Sequence, residues 1–143
     1  MDPALSTAAR ALATGDVLSA LRIVALRGDA QALALRGVAM AQLGELARAR
    51  ELLRRARRAF GPRQAAERAR TLLAETEVAL ALRELAFSPR TLGATGDVLR
   101  AAGDHANAAF ARVLEVQRLV LSGKLKAAET RLAELEPELG RAS

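Results

Sequence analysis

The sequence predicts an all-α protein made of antiparallel helical hairpins, and three observations carry that prediction. Hydrophobic residues make up 51% of the 143 residues, but most of them are Ala and Leu, and aromatics reach only 2%. Ala, Leu, Arg and Glu favour helices, whereas the β-branched and aromatic residues that sheets prefer are scarce. Glycines and prolines divide the chain at fairly regular intervals, and the segments between them keep helical apolar spacing. We therefore expect one helical domain over residues 1–143.

The glycines and prolines that interrupt helices predict eight helices in four pairs. Gly15, Gly44 and Gly123 each end one helix, and an alanine follows each at the same distance: Ala20, Ala49 and Ala128. Glycine suits the left-handed residue that closes a helix, and alanine lets a neighbouring helix approach closely. The expected N-caps are Asp16, Asp29, Ser88 and Asp104, with Pro62 and Pro89 in first turns. The predicted pairs are 3–14 with 16–27, 30–43 with 45–60, 62–86 with 89–102, and 104–122 with 124–136, followed by a tail over 137–143.

One internal repeat competes with this division. The string ATGDVL occurs at 13–18 and again at 94–99. If the second copy behaved like the first, the helix over 89–102 would break near Gly93 and Gly96. Helical spacing of Leu92, Thr95 and Leu99 favours a continuous helix, although interior glycines cost about 1 kcal/mol each relative to alanine.

The segment Leu33–Pro62 resembles a tetratricopeptide repeat. Small residues stand where that family has them, and aliphatic residues replace its large aromatics. The matching positions are Leu33, Arg36-Gly37, Met40, Ala49, Leu53, Ala56 and Pro62. The last pair matches through Gly123, Ala128 and Leu132, and the first through Gly15 and Ala20 alone. A non-repeating helical bundle remains the alternative.

The resemblance implies a right-handed superhelix in which the first helix of each pair lines a concave groove. The groove positions of the second pair would be Gln31, Ala34, Val38, Ala41 and Gln42. None of them is basic, so the clamp for acidic peptide C-termini known in this family is not expected. A small, largely apolar groove suits an apolar helix, either from a partner or from a second copy of the chain.

An arginine cluster accounts for the net charge of +6: residues 48–70 contain nine arginines and two glutamates, a balance of +7, and the rest of the chain sums to −1. On a helical wheel the arginines of 46–60 take one side and the apolar residues the other, which is typical of a solvated outer face. Glu51 is spaced to pair with Arg54 or Arg55. Arg54, Arg55 and Arg58 form a candidate basic surface, but no aromatic platform for nucleic acid accompanies them. Nonspecific nucleic-acid binding is the less favoured interpretation.

The sequence offers little chemistry. There is no cysteine and one histidine, His105, so we expect no metal, cofactor or catalytic site. The pairs Glu75/Glu77 and Glu134/Glu136 are two residues apart and point to different helix faces. The longest apolar run, 113–121, is interrupted by charges, and the N-terminus lacks a secretory pattern. We therefore expect a cytoplasmic, non-enzymatic protein without a membrane segment.

The favoured hypothesis is a protein–protein interaction module that binds a partner helix or peptide, or itself. The alternative is a sensing or regulatory domain, because similar Ala/Leu/Arg-rich hairpins occur in some bacterial transcription regulators. Repeat arrays normally end on a polar capping helix. The face around Leu125, Leu132 and Leu135 is therefore expected to lack a cover, and to pack on another copy or belong to a longer protein.

Overall fold

A computed structural model describes residues 2–142, and this part of the chain forms eight α-helices and no strand. The all-α prediction is confirmed. The helices are α1 (Pro3–Ala13), α2 (Val17–Val24), α3 (Ala30–Gln42), α4 (Leu46–Ala59), α5 (Ala65–Ala81), α6 (Pro89–Ala101), α7 (His105–Leu121) and α8 (Leu125–Ala142).

Acidic and hydroxyl side chains cap five helix N-termini among the described residues, at the four predicted positions and at Asp2, which the sequence analysis did not single out. In each case the side chain accepts a hydrogen bond from the backbone N–H three residues later, which satisfies one of the free donors at a helix start. The capping residues are Asp2, Asp16, Asp29, Ser88 and Asp104. α6 runs unbroken through Gly93 and Gly96, so the second copy of ATGDVL is helical while the first forms a turn.

Arginines link neighbouring odd-numbered helices through their capping aspartates. Arg27 donates to Asp2 at 2.8 Å and to Asp29 at 2.9 Å, which links the starts of α1 and α3. The Arg27 hydrogen bond is the main reason that the pKa of each of these two carboxyls lies below its ordinary value. Arg70 of α5 donates to Asp104, the cap of α7, at 2.6 Å. These exposed pairs set the register of the helix starts more than they add stability.

Five helix ends share one turn geometry, but only four have glycine at its left-handed position. Gly15, Gly44, Gly103 and Gly123 follow α1, α3, α6 and α7 with φ between 79° and 84°. Arg83 takes that place after α5, with φ 62°. Its N–H donates to the Leu80 carbonyl, and the next N–H donates to the Ala79 carbonyl, as at the glycine turns. A side chain in this conformation costs about 1 kcal/mol.

The sequence placed the ends of α5 and α8 wrongly. α5 begins at Ala65 rather than 62, because Gly61 N–H donates to Gln64 Oε1 at 3.1 Å and holds a turn that includes Pro62. It ends at Ala81 rather than 86 because of the Arg83 turn. α8 continues through Pro137 to Ala142 instead of ending at 136. Glu138, just after that proline, accepts from Arg112 of α7 at 2.9 Å, which holds the final turns against the fold.

The helices pack in two kinds of contact. Every helix contacts the next one in the chain, and the odd-numbered helices also contact each other in order, α1 with α3, α3 with α5, and α5 with α7. Within residues 2–142, no Cα atom of one even-numbered helix lies within 8 Å of a Cα atom of another even-numbered helix. The odd-numbered helices therefore form one continuous layer. The even-numbered helices lie against it with their backbones apart, and an ion pair between Arg100 and Glu138 links α6 to α8.

Small residues allow the closest crossings. Gly37 of α3 lies against α4, where an added Cβ would be 2.7 Å from Leu53 Cγ and 3.3 Å from the Ala49 carbonyl oxygen. Ala49 and Leu53 are themselves fully buried. The prediction that Ala49 lets a neighbouring helix approach closely is confirmed, and Gly37 lies at the same contact.

Gly37→Ala is expected to lower the free energy of unfolding by about 1–2 kcal/mol, because overpacking at Leu53 outweighs the gain in helix propensity. Gly93→Ala is the matched control, since the nearest atom to its new Cβ is 3.7 Å away. It is expected to raise stability by up to about 1 kcal/mol. Urea denaturation followed by circular dichroism measures both. Equal effects of the two substitutions would contradict the close crossing at Gly37.

Arg83→Gly is expected to stabilise the protein by up to about 1 kcal/mol, because glycine adopts a positive φ without steric cost. Gly103→Ala places a side chain in the equivalent turn after α6 and is expected to destabilise by a similar amount. The same denaturation assay checks the pair. A loss of stability in Arg83→Gly would show that the arginine side chain contributes more than its backbone conformation costs.

Candidate functional site

The predicted groove residues of α3 lie mostly under neighbouring helices. Gln31, Ala34, Val38 and Ala41 are half-buried, and only Gln42 is exposed. Val38 contacts both the core cluster of the first three helices and the cluster that includes Val78 of α5. Because α1 and α5 flank α3 on either side, much of this face is used for packing within the layer. Its role in binding stays a prediction.

Another groove in the odd-numbered layer lies between α5 and α7, near their C-terminal ends. Its volume is about 490 Å³. Leu80, Ala81, Val120 and Leu121 supply its apolar lining, and Glu77, Arg83 and Gln117 supply its polar lining. Val120 is 51% exposed although it is aliphatic. We refer to these seven residues as the α5–α7 groove.

The sequence contained a signal for this groove that the repeat pattern obscured. α7 has apolar residues on more than one face, since Val113, Val116 and Val120 keep helical spacing beside the buried Leu114. A helix that packs on only one side needs a single apolar stripe. The second stripe, on which Val120 stays exposed, indicates a surface available for contact.

The left-handed residue Arg83 lies at this groove. The side chain is exposed, and within residues 2–142 it makes no ion pair or side-chain hydrogen bond. The other four turns of this geometry have glycine. Backbone strain of this kind is found preferentially at functional sites.

The arginine-rich α4 is partly tied to its neighbours rather than freely solvated. Arg54 contacts Glu51 at 3.2 Å, which confirms the predicted helical pair. Arg50 pairs with Glu84, and Arg57 lies 5.3 Å from the centre of the Phe87 ring. Arg55 and Arg58 are exposed and form no ion pair in the described part of the chain. The structure therefore divides the candidate basic surface between one paired residue, Arg54, and two unpaired ones.

Glu75 of α5 is a buried carboxylate with full partners. It is 2% exposed, and Arg57 donates to it at 2.6 Å and 3.4 Å in a two-point pair. Arg54 Nε lies 3.9 Å away. Such a pair joins α4 to α5, because removing either partner would leave the other charge poorly solvated.

Glu115 of α7 is a buried carboxylate without such partners. It is 8% exposed, and no described residue donates a hydrogen bond to it. The nearest cation is Arg131 of α8, with Nη1 at 3.9 Å, a distance too long for a hydrogen bond. Burial raises the pKa of Glu115 above its ordinary value, and the charges of Arg131 and Arg112 oppose that shift only in part. The carboxylate lines a pocket of about 280 Å³ between α6, α7 and α8, here called the Glu115 pocket.

Most of the other residues that the sequence analysis singled out are exposed. His105 is exposed at the start of α7, and no group of three or more His, Asp or Glu residues among those described is placed to hold a metal ion. Leu125 and Leu132 are 60% and 45% exposed, as expected for an uncovered face, but Leu135 is buried against α7 and the prediction for it was wrong. None of the helices in 2–142 has both the length and the apolar character needed to span a bilayer.

Comparison with known proteins returned no family model, no curated protein and no solved structure that matches this chain.

The two buried glutamates are expected to respond oppositely to amide substitution. Glu75→Gln should lower the free energy of unfolding by about 2 kcal/mol, because it removes a charge-assisted two-point pair. Glu115→Gln should leave it unchanged or raise it by up to about 1 kcal/mol, because a buried charge without hydrogen bonds is removed. Urea denaturation at neutral pH measures both.

The raised pKa of Glu115 gives this prediction a pH dependence. Because the folded protein favours the protonated Glu115 side chain, this residue's favourable contribution to the free energy of unfolding is fully present below the pKa of an ordinary glutamate. That contribution is lost as the pH rises through the raised pKa of Glu115. The advantage of Glu115→Gln over the wild type should therefore disappear in acid. An advantage that grew as the pH fell would contradict the burial of an unsatisfied carboxylate.

Proposed function

We propose that the protein is a non-enzymatic helical-repeat scaffold, similar in design to tetratricopeptide repeats, that binds an amphipathic segment of a partner protein. The α5–α7 groove is the proposed contact surface, and the half-buried α3 face extends it along the same layer. The observation that carries the proposal is the continuous layer of odd-numbered helices, with even-numbered helices that pack against it while their backbones stay apart. Stacked hairpins of this kind present an extended surface on one side.

The lining of the groove indicates the chemistry of the partner. Leu80, Val120 and Leu121 offer an apolar strip, which suits the apolar face of a helix. Arg83 adds an unpaired cation beside that strip, so the matching segment carries an acidic residue next to its apolar face. The strained backbone at Arg83 supports this, because a glycine there would be more stable but would remove the charge.

A competing proposal, nucleic-acid binding through α4, has less support. Arg50, Arg54 and Arg57 are engaged by glutamates, so their charges are partly neutralised within the protein. Arg48, Arg55 and Arg58 remain exposed on α4 without an ion pair among the described residues, and three such arginines supply an electrostatic contribution that salt screens. No observation favours the regulatory-domain alternative over the simpler scaffold.

Val120→Glu is expected to weaken partner binding at least tenfold, a loss of about 1.4 kcal/mol, because it places a charge in the apolar strip. The partner is first identified by crosslinking to the full-length chain, and its affinity is then measured by isothermal titration calorimetry with purified proteins. Leu18→Glu is the matched control, since Leu18 is an exposed aliphatic residue on α2, outside the layer. It should bind within about twofold of the wild type.

Equal affinity of the wild type and Val120→Glu would contradict the proposed surface. Sedimentation at high protein concentration separates binding of a partner from binding of a second copy: a dimer that Val120→Glu dissociates would make the chain its own partner. A monomer with no crosslinked partner would contradict the function as a whole.

A further inference from the structure

α8 presents an exposed apolar face that the fold does not use. Leu125, Leu132 and Leu139 are spaced seven residues apart, so they lie on the same side of the helix. They are 60%, 45% and 36% exposed, and no other helix within residues 2–142 exposes three large aliphatic side chains. Exposed apolar residues that share one surface mark interaction sites, whereas scattered ones do not.

Two glutamates give the same side of α8 a negative charge. Glu129 and Glu136 follow the first two of these leucines by four residues each, which places them in the same arc of the helix. Both are exposed, and neither forms an ion pair with a described residue. Lys124 and Lys126 lie about 100° to either side of this arc. We refer to the three leucines and two glutamates as the α8 leucine face.

A groove of matching chemistry lies between α5 and α6. Its volume is about 430 Å³, and it involves the N-terminal half of α5, whereas the α5–α7 groove involves the C-terminal end of that helix. Leu72 and Val98 line it together with three alanines, and Val98 is 39% exposed. Arg68 of α5 and Arg90 of α6 also line it, and no described carboxylate does. We call it the α5–α6 groove.

The two arginines of this groove keep donors that the fold does not use. Arg68 Nη2 donates to the Phe60 carbonyl oxygen at 2.7 Å, which is a neutral acceptor. Arg90 is exposed and makes no ion pair or side-chain hydrogen bond with a described residue. The two threonines of the lining form their hydrogen bonds within α6 and its cap. Since a guanidinium has five N–H donors, both arginines can still bind a carboxylate.

We propose that the α8 leucine face of one molecule docks into the α5–α6 groove of a second copy of this chain. The leucines of the face cover Leu72 and Val98, and its glutamates pair with Arg68 and Arg90. A helix that lies in a groove makes contacts of this kind through side chains at i, i+4 and i+7. Apolar burial favours the association, and the charges determine which face meets which groove.

Charge distinguishes the α5–α6 groove from the other surfaces that the α8 leucine face could meet. A second α8 leucine face has two glutamates of its own, so a contact between two α8 helices would bring four like charges together. The α5–α7 groove has one carboxylate, Glu77, and one cation, Arg83, so these charges balance. The α5–α6 groove alone among these three surfaces combines two cations with an apolar lining and no carboxylate.

The proposed contact joins two different surfaces of the chain. A single contact therefore leaves one copy with a free groove and the other with a free α8 leucine face. Such a heterologous contact continues into larger assemblies unless the geometry closes a ring or a reciprocal dimer. The contact does not use the surface proposed for the partner protein, so either proposal can fail without the other.

The test is sedimentation equilibrium of the full-length chain over a wide range of protein concentration. We expect the average mass of the wild type to rise above that of one chain as the concentration increases. Leu132→Glu and Val98→Glu should each stay monomeric, because each places a charge in the apolar contact. A 1:1 mixture of these two variants should form dimers, since the first keeps an intact groove and the second keeps an intact face. Leu125→Glu tests the same face at its most exposed position.

The charges are tested by a matched pair of substitutions. Arg90→Glu should weaken the association at least tenfold, because it places a carboxylate opposite the glutamates of α8. Arg22→Glu makes the same change at an exposed arginine of α2, outside both surfaces, and should leave the association within about twofold of the wild type. Val120→Glu should also associate as the wild type does, which separates this contact from the α5–α7 groove.

Three results would overturn the proposal. The first is a wild type that remains monomeric at every concentration. The second is a wild type and a Val98→Glu variant that associate equally, since the contact would then lie outside the α5–α6 groove. The third is a mixture of Leu132→Glu and Val98→Glu that stays monomeric although circular dichroism shows that both variants keep their helices.

Discussion

The structure depends on the close approach of short helices, which small residues at the crossing points allow. Gly37 and Ala49 bring α3 and α4 together so that Leu53 fills the space beside them. Gly96 similarly faces Ala111, with 3.5 Å between an added Cβ and the alanine Cβ. With almost no aromatic residues, the chain builds its core from buried alanines and leucines, and the alanines let the helices approach closely. This constraint sets the layer of odd-numbered helices, and that layer positions both the groove and the buried glutamates.

Three features in the second half of the chain depart from what internal packing and pairing favour. Arg83 holds a backbone conformation that glycine prefers, Val120 exposes an aliphatic side chain, and Glu115 lacks a hydrogen-bond donor. Arg27 and Glu75 offer a contrast, because their charges are matched by partners within the fold. Where binding is selected over stability, most residues are expected to suit the fold, and a few residues at the binding surface are expected to depart from it. At the α5–α7 groove, Arg83 and Val120 are those residues.

Sequence reasoning predicted the helices and most of their caps because local chemistry determines them. Asp16, Asp29, Ser88 and Asp104 act on a backbone N–H three residues away, so no tertiary information is needed. It failed at Arg83, since a left-handed arginine carries no sequence signature, and at Pro137, since pairing of Glu138 with α7 holds the helix together beyond that proline. The α5–α7 groove and the isolation of Glu115 depend on which helices meet, which spacing along one chain does not specify.

The most direct test of the account is urea unfolding of residues 29–143, a fragment without the first helical pair, compared with the full chain. If hairpins are stacked so that each depends only on its neighbours, the fragment keeps its helical content per residue and unfolds cooperatively with a smaller m-value. Asp29 remains in place to cap α3. If the helices instead form one shared bundle core, loss of the first pair abolishes cooperative unfolding, and that result would contradict the stacked layer on which the proposed function rests.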